Sequence, residues 1–230
     1  MYGSLALRIL TWNLKHGRAV PDAGRDLFDA FAGALAGWEW DVALLQEVPP
    51  WWPELLEQRL VASARLVLTS RNSLLPARRA IAQRWPDVIK SNGGGSNAIL
   101  VRRLGAREHR ALRLALIPER RYLHAVALGD GTWVGNLHAT VHDPRSAVLE
   151  ARMAAFTILR WASGAPTALG GDFNVRSLEL SGFTYAGGHD VDHVFLAGLE
   201  VVGGAEVLDS GRLSDHRPVA VEVINREGGR

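Results

Sequence analysis

Short apolar runs recur along the chain and place the strongest constraint on its fold. In most of them both alternating positions are apolar, as in LRILTWN and WVGNLH. A strand of this composition is buried on both faces, so a sheet built from such strands is covered on both sides. We therefore predict buried strands over 5–14, 41–46, 96–102, 124–128, 133–138, 167–170, 192–196 and 218–224.

Amphipathic segments between these runs predict helices. Residues 22–37 form one such segment, with Asp22 as the expected N-cap. Residues 143–164 form another, which begins with Asp143 as N-cap. Its apolar stripe consists of Leu149, Met153, Phe156 and Leu159. A third predicted helix covers 53–68.

The order of these elements indicates the architecture. Strands occur in both halves of the chain, and each half has its own helices, which predicts two sheets packed face to face with helices outside. No repeat, long linker or low-complexity tract divides the 230 residues. A chain of this length commonly forms one domain, so we expect a single domain over 1–230.

Composition excludes several classes of protein. Hydrophobic residues make up 47% of the chain and charged residues 22%, which is typical of a globular protein. No apolar run is long enough to span a bilayer, and the N-terminal segment predicts a strand without an export signal. The absence of cysteine excludes disulfides, thiolate metal sites and cysteine nucleophiles. We expect a cytoplasmic protein with no obligate protein partner.

Positive charge is concentrated in the middle of the chain. The net charge is only +2, but residues 71–121 contain twelve Lys or Arg and three Asp or Glu. A basic segment of this kind suits a polyanionic partner such as nucleic acid. The alternative explanation is a general bias of the composition towards arginine, because all of the 26 basic residues except Lys15 and Lys90 are arginines.

Polar side chains stand where the predicted buried strands begin or end. Each alone is compatible with a turn or a cap. If the strands share one edge, these groups form a cysteine-free pocket of carboxylates, amides and imidazoles, which suits Mg²⁺ or Mn²⁺ rather than zinc. The residues are Asn13, Glu47, His138, Asp172, Asn174, Asp192, Asp215 and His216.

The blocks TWNLKHG, DVALLQEV, GNLHAT, LGGDFN, DVDHVF and LSDHRPV occur in this order and cover nearly the whole chain. Together they resemble the endonuclease/exonuclease/phosphatase superfamily. The resemblance implies an α/β fold, a four-layer α/β/β/α sandwich of two mainly antiparallel sheets flanked by helices, with the site at one edge of both sheets. It also implies that Glu47 is the principal metal ligand, with Asn13 and Asp215 close to the ion.

The same resemblance implies roles in phosphodiester hydrolysis. Asp172 corresponds to the group that orients or deprotonates the attacking water, helped by Asn174. His216 corresponds to the histidine that contacts the scissile phosphate and is held by Asp192. His138 corresponds to a second phosphate contact, although NLHAT departs from the usual Asn-Thr-His-Leu wording.

These residues predict a divalent-metal-dependent phosphodiesterase, an endonuclease or exonuclease that hydrolyses nucleic acid by direct attack of water. DVDHVF lacks the arginine found before this aspartate in many nucleases, and the interval 174–192 is short. A phosphoesterase acting on a phospholipid or a small-molecule phosphoester is therefore the alternative. A non-catalytic nucleic-acid-binding module is a third hypothesis, although it should have lost at least one of the residues named above.

Two further sets of residues bear on these alternatives. A lipid substrate predicts an exposed apolar rim near the site, for which the candidates are Trp51, Trp52 and Trp85. Packing of these tryptophans into the interior would weaken that alternative. The remaining histidines show no metal-binding spacing and are interpreted as surface or loop residues: His16, His109, His124, His142 and His189.

Overall fold

Two β-sheets pack face to face in the computed structural model, which describes residues 6–70, 72–89 and 95–226. The first sheet contains, in spatial order, β11 (Leu199–Val201), β13 (Val219–Asn225), β1 (Leu7–Asn13), β2 (Val42–Val48), β4 (Ser96–Val101) and β3 (Ser63–Leu68), with β12 (Glu206–Val207) beside β13. The second contains β5 (Ala106–Ala115), β6 (Arg121–Leu128), β7 (Trp133–His138), β8 (Thr167–Asp172), β10 (Asp192–Ala197) and β9 (Thr184–His189).

Strand direction brings the predicted site residues to one edge. Each sheet contains one parallel pair, β1 with β2 and β7 with β8, and the other described pairs are antiparallel. The carboxyl ends of these four strands therefore meet the amino ends of β10 and β13 at the same edge. The fold predicted from the sequence is confirmed, with sheets that are mainly antiparallel.

Helices cover the outer faces of both sheets. Their bounds are α1 (Phe28–Gly37), α2 (Trp52–Leu60), α3 (Leu75–Arg84), α4 (Pro86–Ile89) and α5 (Pro144–Ala162). One apolar core lies between α1, α2 and the first sheet, a second between α5 and the second sheet, and a third between the two sheets. No helix within the described residues is both long and apolar enough to cross a membrane.

The predicted strands are present, with bounds shifted by a few residues; residue 5 lies outside the described part of the chain. Two helix predictions were partly wrong. The helix expected from residue 22 begins at Phe28, and Asp22 pairs with Arg18 instead of capping it. The helix expected over 53–68 ends at Leu60, because the next residues pair with β4 as an edge strand.

The orientation of α5 also differs from the sequence pattern, although Asp143 caps it as predicted. Leu149, Met153 and Phe156 are exposed. The buried face consists of Ala147, Glu150, Ala151, Ala154, Ala155, Ile158 and Ala162. Small side chains let the helix lie close to β7, where a Cβ at Gly135 would stand only 2.6 Å from Ile158 Cδ1. Close packing against the sheet therefore outweighs burial of the larger side chains.

His124 is a fully buried histidine on β6, contrary to the surface position expected from the sequence. Neither of its ring nitrogens has a hydrogen-bond partner among the described residues. Burial, with a smaller contribution from the charge of His109, lowers the pKa of His124 to about 3. The folded protein therefore holds this imidazole neutral through the mildly acidic range.

We predict that His124 makes the protein acid-sensitive. Below the ordinary pKa of 6.5 the unfolded chain binds a proton that the folded chain does not, so stability present above pH 6.5 is lost as pH falls. Between pH 7.5 and pH 4.5 the free energy of unfolding should drop by about 3 kcal/mol from this group. Urea unfolding of the wild type and of His124→Leu at both pH values measures this loss. A stability difference between the two proteins that is the same at both pH values would contradict the prediction.

Candidate functional site

The inward faces of the strands change from apolar to charged along their length. At one end of the sandwich the two sheets share aliphatic side chains. A layer of neutral amides and hydroxyls follows, and the carboxylates and imidazoles lie at the edge. The inward-facing positions are Ile9, Thr11 and Asn13 along β1 and Val134, Asn136 and His138 along β7.

Asn136 joins the two sheets directly beneath the charged edge. Its Nδ2 donates to the carbonyl oxygens of Leu45 and Ala98, at 2.9 and 3.0 Å, on two adjacent strands of the facing sheet. Its Oδ1 accepts from Gln46 Nε2 at 2.8 Å, and that amide also donates to Thr11 Oγ1 at 3.1 Å. The side-chain amides of Asn136 and Gln46 thus join the two sheets, although Gln46 Oε1 accepts no hydrogen bond from the described residues, and these contacts fix the separation of the sheets at the site.

A bulge in β2 aims Glu47 into the cleft. The register between β2 and β4 shifts between Leu45 and Val48, and Glu47 has a φ of +49°. Left-handed backbone is unfavourable for a residue with a Cβ, and it occurs here at the point where the side chain must leave the sheet. Glu47 Oε2 lies 3.2 Å from His16 Nε2, and Oε1 lies 3.7 Å from His138 Nε2.

Asp172 is one of two almost fully buried carboxylates of the site, with Asp192. Its Oδ2 accepts from Asn13 Nδ2 at 2.9 Å, and its Oδ1 accepts from the Asn174 backbone N–H at 3.0 Å. The side chain of Asn174 donates to the carbonyl of Ala139 at 2.9 Å. Burial and the neighbouring Asp192 raise the pKa of Asp172 to about 7, against the opposing effects of its hydrogen bonds and of His216.

Asp192 holds His216 beside Asp172. His216 Nδ1 lies 2.7 Å from Asp192 Oδ2, and His216 Nε2 lies 3.8 Å from Asp172 Oδ2. Burial lowers the pKa of His216, but the hydrogen bond and charge of Asp192 outweigh it and raise the pKa to about 9. His138 behaves in the opposite way, because burial and the charge of Arg121 hold its pKa well below the ordinary value. The site thus presents one protonated and one neutral imidazole.

Asp215 occupies a different environment from the other predicted residues. Its half-exposed carboxylate forms an ion pair with Lys15, and no contact joins it to Glu47. Burial raises the pKa of Asp215, but Lys15 outweighs this effect and lowers it below the ordinary value. The exposed side chain of Arg217 makes no hydrogen bond or ion pair with any described residue, so it does not brace the loop as the sequence suggested.

The cleft contains residues that sequence reasoning missed. It has a volume of about 280 Å³, and its wall includes His16, His142, Arg121 and Ser70 besides Glu47 and His138. Arg121 is buried, with one Nη 3.0 Å from Glu119. The available signal for Arg121 was a single arginine at the start of an otherwise apolar strand. His16 gave no such signal, because a left-handed turn brings it to Glu47.

Two groups of side chains could interact with a cation. Ligand-type atoms of Asp172, Asp192 and His216 lie within 4.8 Å of one another. Both His216 nitrogens face carboxylates and its pKa is raised, an arrangement that suits a hydrogen-bond donor better than a metal ligand. Glu47 has no amide or guanidinium donor among its described contacts, and it is the carboxylate best placed to accept a hard cation.

We predict that the left-handed backbone at Glu47 lowers stability. Glu47→Gly should raise the free energy of unfolding by about 1 kcal/mol, since glycine adopts this conformation without steric conflict. Val61→Gly, at φ +51° on the surface, should give a similar gain. Gln58→Gly, on an exposed position of α2, should lose about 1 kcal/mol. Urea unfolding tests all three, and a loss of stability in Glu47→Gly would show that its conformation is not strained.

Asn136 and Asn97 provide a matched pair. Both are buried, but the side-chain amide of Asn97 has no partner among the described residues. Asn136→Ala leaves two carbonyls and Gln46 without their partner and should lower the free energy of unfolding by about 2–4 kcal/mol. Asn97→Ala should lower it by no more than about 1 kcal/mol. Equal losses in the two variants would contradict the role assigned to Asn136.

Comparison with solved structures supports the fold. An endonuclease/exonuclease/phosphatase from Beutenbergia cavernae has a TM-score of 0.70 at 19% identity, over 96% of this chain and 72% of that one. A mannosyl-6-phosphatase from Bacteroides thetaiotaomicron has a TM-score of 0.70 at 16% identity, over 95% and 99% of the two chains. A truncated TDP2 from Caenorhabditis elegans has a TM-score of 0.67 at 14% identity, over 96% and 98%.

Comparison of the sequence with protein families gives the assignment. No curated protein matches the chain. The profile of the Endonuclease/Exonuclease/phosphatase family matches residues 10–216, from β1 to the histidine that pairs with Asp192. The chain therefore belongs to the endonuclease/exonuclease/phosphatase family.

Proposed function

We propose that this protein is a divalent-metal-dependent phosphoesterase that cleaves a phosphodiester bond by direct attack of water. The arrangement of Asp172 carries the proposal. This buried carboxylate, with a pKa raised to about 7, stands between a neutral imidazole at 3.6 Å and a protonated one at 3.8 Å. The proposed proton acceptor therefore lies beside both proposed phosphate contacts at the edge of the sheets.

The donor set fits a hard cation. Glu47 is the proposed principal ligand of Mg²⁺ or Mn²⁺, with the side-chain oxygen of Asn13 and the carboxylate of Asp215 nearby. Bound there, the cation would neutralise charge on the phosphate oxygens. The carboxylate of Asp215 forms an ion pair with the ammonium of Lys15, and this pair would have to break before Asp215 could bind the cation.

The protein groups divide the remaining tasks. Asp172 is the proposed acceptor of the proton from water, and Asn13 and Asn174 fix its two oxygens. His216 donates from Nε2 to the phosphate while Asp192 orients the ring from Nδ1. His138 supplies the second phosphate contact and, being neutral, can accept or donate a proton near the leaving group.

For the substrate we propose nucleic acid first, since Arg78, Arg79 and Arg84 lie on α3, which contains no acidic residue and follows the cleft-wall residues Thr69 and Ser70 in the chain. Other residues of the basic segment 71–121 make contacts at the opposite end of the sheet. Arg71 and Lys90 lie outside the described residues. Arg102 stacks on Trp40, and Arg103 pairs with Asp41. These groups lie at the end of β2 away from Glu47, roughly 15–20 Å distant.

A phospholipid or small-molecule phosphoester is the second candidate. The small cleft favours it, since 280 Å³ suits one phosphate and a compact neighbouring group. A lipid substrate predicts that the three candidate tryptophans are exposed, and only one of them is. Trp52 is buried and Trp51 packs against the core, but Trp85 is exposed. The single domain over 1–230 and the cytoplasmic location expected from the sequence stay predictions.

Hydrolysis of an aryl phosphodiester and nicking of supercoiled plasmid test the proposal. We expect both activities, or the first alone, with Mg²⁺ and neither with EDTA. Asp172→Asn should lower kcat at least about a hundredfold with a small change in KM. The matched control is Arg217→Ala, which should retain wild-type kcat. Full activity in EDTA, or in Asp172→Asn, would refute the mechanism, and a purified protein inactive on both substrates that binds DNA would favour the binding module.

A further inference from the structure

Exposed apolar side chains that the proposed hydrolysis does not use lie at Val141 in the cleft wall and on the chain segments next to the wall residues Ser70 and Glu119. Their exposed fractions are large: Ile117 82%, Leu74 79%, Val88 74%, Leu116 56%, Trp85 55% and Val141 42%. We call these six residues the apolar rim. Exposed aliphatic groups are ordinary when scattered, but a group of them beside a binding cleft marks an interaction surface.

One part of the rim lies on the connection between β5 and β6. Leu116 and Ile117 stand at its tip, a few residues before Arg121 in the cleft wall. Ile117 and Val141 line one surface depression of about 600 Å³. Val141 and His142 line both this depression and the cleft, so the apolar surface continues into the site.

The other part of the rim belongs to α3 and α4. None of the α3 residues is buried, so this helix stands out from the body of the protein. Asp87 of α4 accepts hydrogen bonds from the backbone N–H of Gly24 at 2.7 Å and from Arg18 Nε at 3.3 Å, which ties the helices to the segment after β1. The backbone N–H of Arg120 donates to Ser70 Oγ at 2.6 Å. This hydrogen bond links the chain just before α3 to the connection between β5 and β6, which carries the first part of the rim.

Basic and acidic side chains lie around the rim, and the acidic ones have partners within the protein: Glu119 pairs with Arg121, Asp143 caps α5, and Glu150 accepts from the Thr140 backbone N–H. Arg78, Arg79 and Arg84 are interspersed with the apolar residues of α3, and Arg120 lies beside the tip of the β5–β6 connection. Asp87 is the one acidic residue of the two helices, and Arg18 neutralises it. Basic side chains next to exposed tryptophan and aliphatic groups are the composition of helices that lie in the interface of an anionic membrane.

We propose that the apolar rim and its arginines dock the protein on an anionic lipid bilayer, with the cleft facing the headgroups. Five of the six rim residues are aliphatic. A single-stranded nucleic acid would use the arginines and Trp85 but gains little from leucine, isoleucine and valine, because its bases stack on aromatic rings. The inference rests on the proposed function for the identity of the cleft, and, if docking is observed, it moves the second substrate candidate, a phosphoester presented at a membrane surface, ahead of nucleic acid.

Co-sedimentation with vesicles tests docking independently of hydrolysis. The wild-type chain is mixed, without metal, with vesicles of phosphatidylcholine alone or with about 30% phosphatidylserine, a content that creates a negative surface potential. We expect binding to the anionic vesicles and at least tenfold weaker binding to the neutral ones. Trp85→Ser with Ile117→Ser should weaken binding at least tenfold, and Arg79→Glu at least about fivefold.

Matched controls use residues of similar exposure away from the rim. Phe156→Ser on α5 and Arg107→Glu on β5 should bind the anionic vesicles as wild type does. The Trp85→Ser/Ile117→Ser variant and both controls should hydrolyse the soluble aryl phosphodiester at the wild-type rate, which separates loss of docking from failure of the proposed reaction. Three results would overturn the inference: no vesicle binding, equal weakening by the Phe156→Ser control, or binding to oligothymidine in preference to the anionic vesicles.

Discussion

The hydrogen bonds of Asn136 hold together the part of the molecule on which the site depends. Two sheets with aliphatic inner faces can slide or separate slightly without losing much contact, because apolar contacts are not directional. A side-chain amide that bonds two carbonyls of the opposite sheet permits one register only. Asn136 is also two residues from His138, so the same strand sets the sheet spacing and positions an imidazole.

Burial then determines the electrostatics at the edge. Asp172 and Asp192 lie at adjacent strand ends, opposite each other in register, and their charges cannot both be hydrated. His216 compensates one of them as a cation, and Asn13 supplies a neutral donor to the other. The result is a set of groups whose proton affinities differ although they lie within a few ångströms of each other. Such separation of proton affinities allows acid and base roles to coexist in one cleft.

Strands with two apolar faces were predictable from the sequence, because burial on both sides requires apolar residues at both alternating positions. The motifs placed eight polar residues at a common edge. Asp215 is half-exposed and pairs with Lys15, and the structure brings the other seven together: Asn13, Glu47, His138, Asp172, Asn174, Asp192 and His216. Their roles remain those proposed above. β5 and β9 were missed because edge strands carry mixed or exposed side chains, with no periodic signal to distinguish them from loops.

Other features depend on contacts distant in the sequence. The alanine face of α5 is buried because it fits against the sheet, whereas a hydrophobicity pattern favours the larger side chains on the opposite face. His16 reaches Glu47 only through the left-handed turn at Lys15 and His16, which no spacing rule anticipates. The ion pair between Lys15 and Asp215 was not predictable either, because the two residues are 200 positions apart in the chain.

The pairing of β1 with β13 has a practical consequence. Leu7 lies opposite Val223. From this pair the chain of β1 runs towards the edge that carries the candidate site, and the chain of β13 runs away from it. The outer ends of these two strands are therefore neighbours on the side of the sandwich away from the cleft. A polypeptide fused before β1 or after β13 would leave the fold at that side, so either position suits an immobilisation tag or a fluorescent reporter that must not obstruct the cleft.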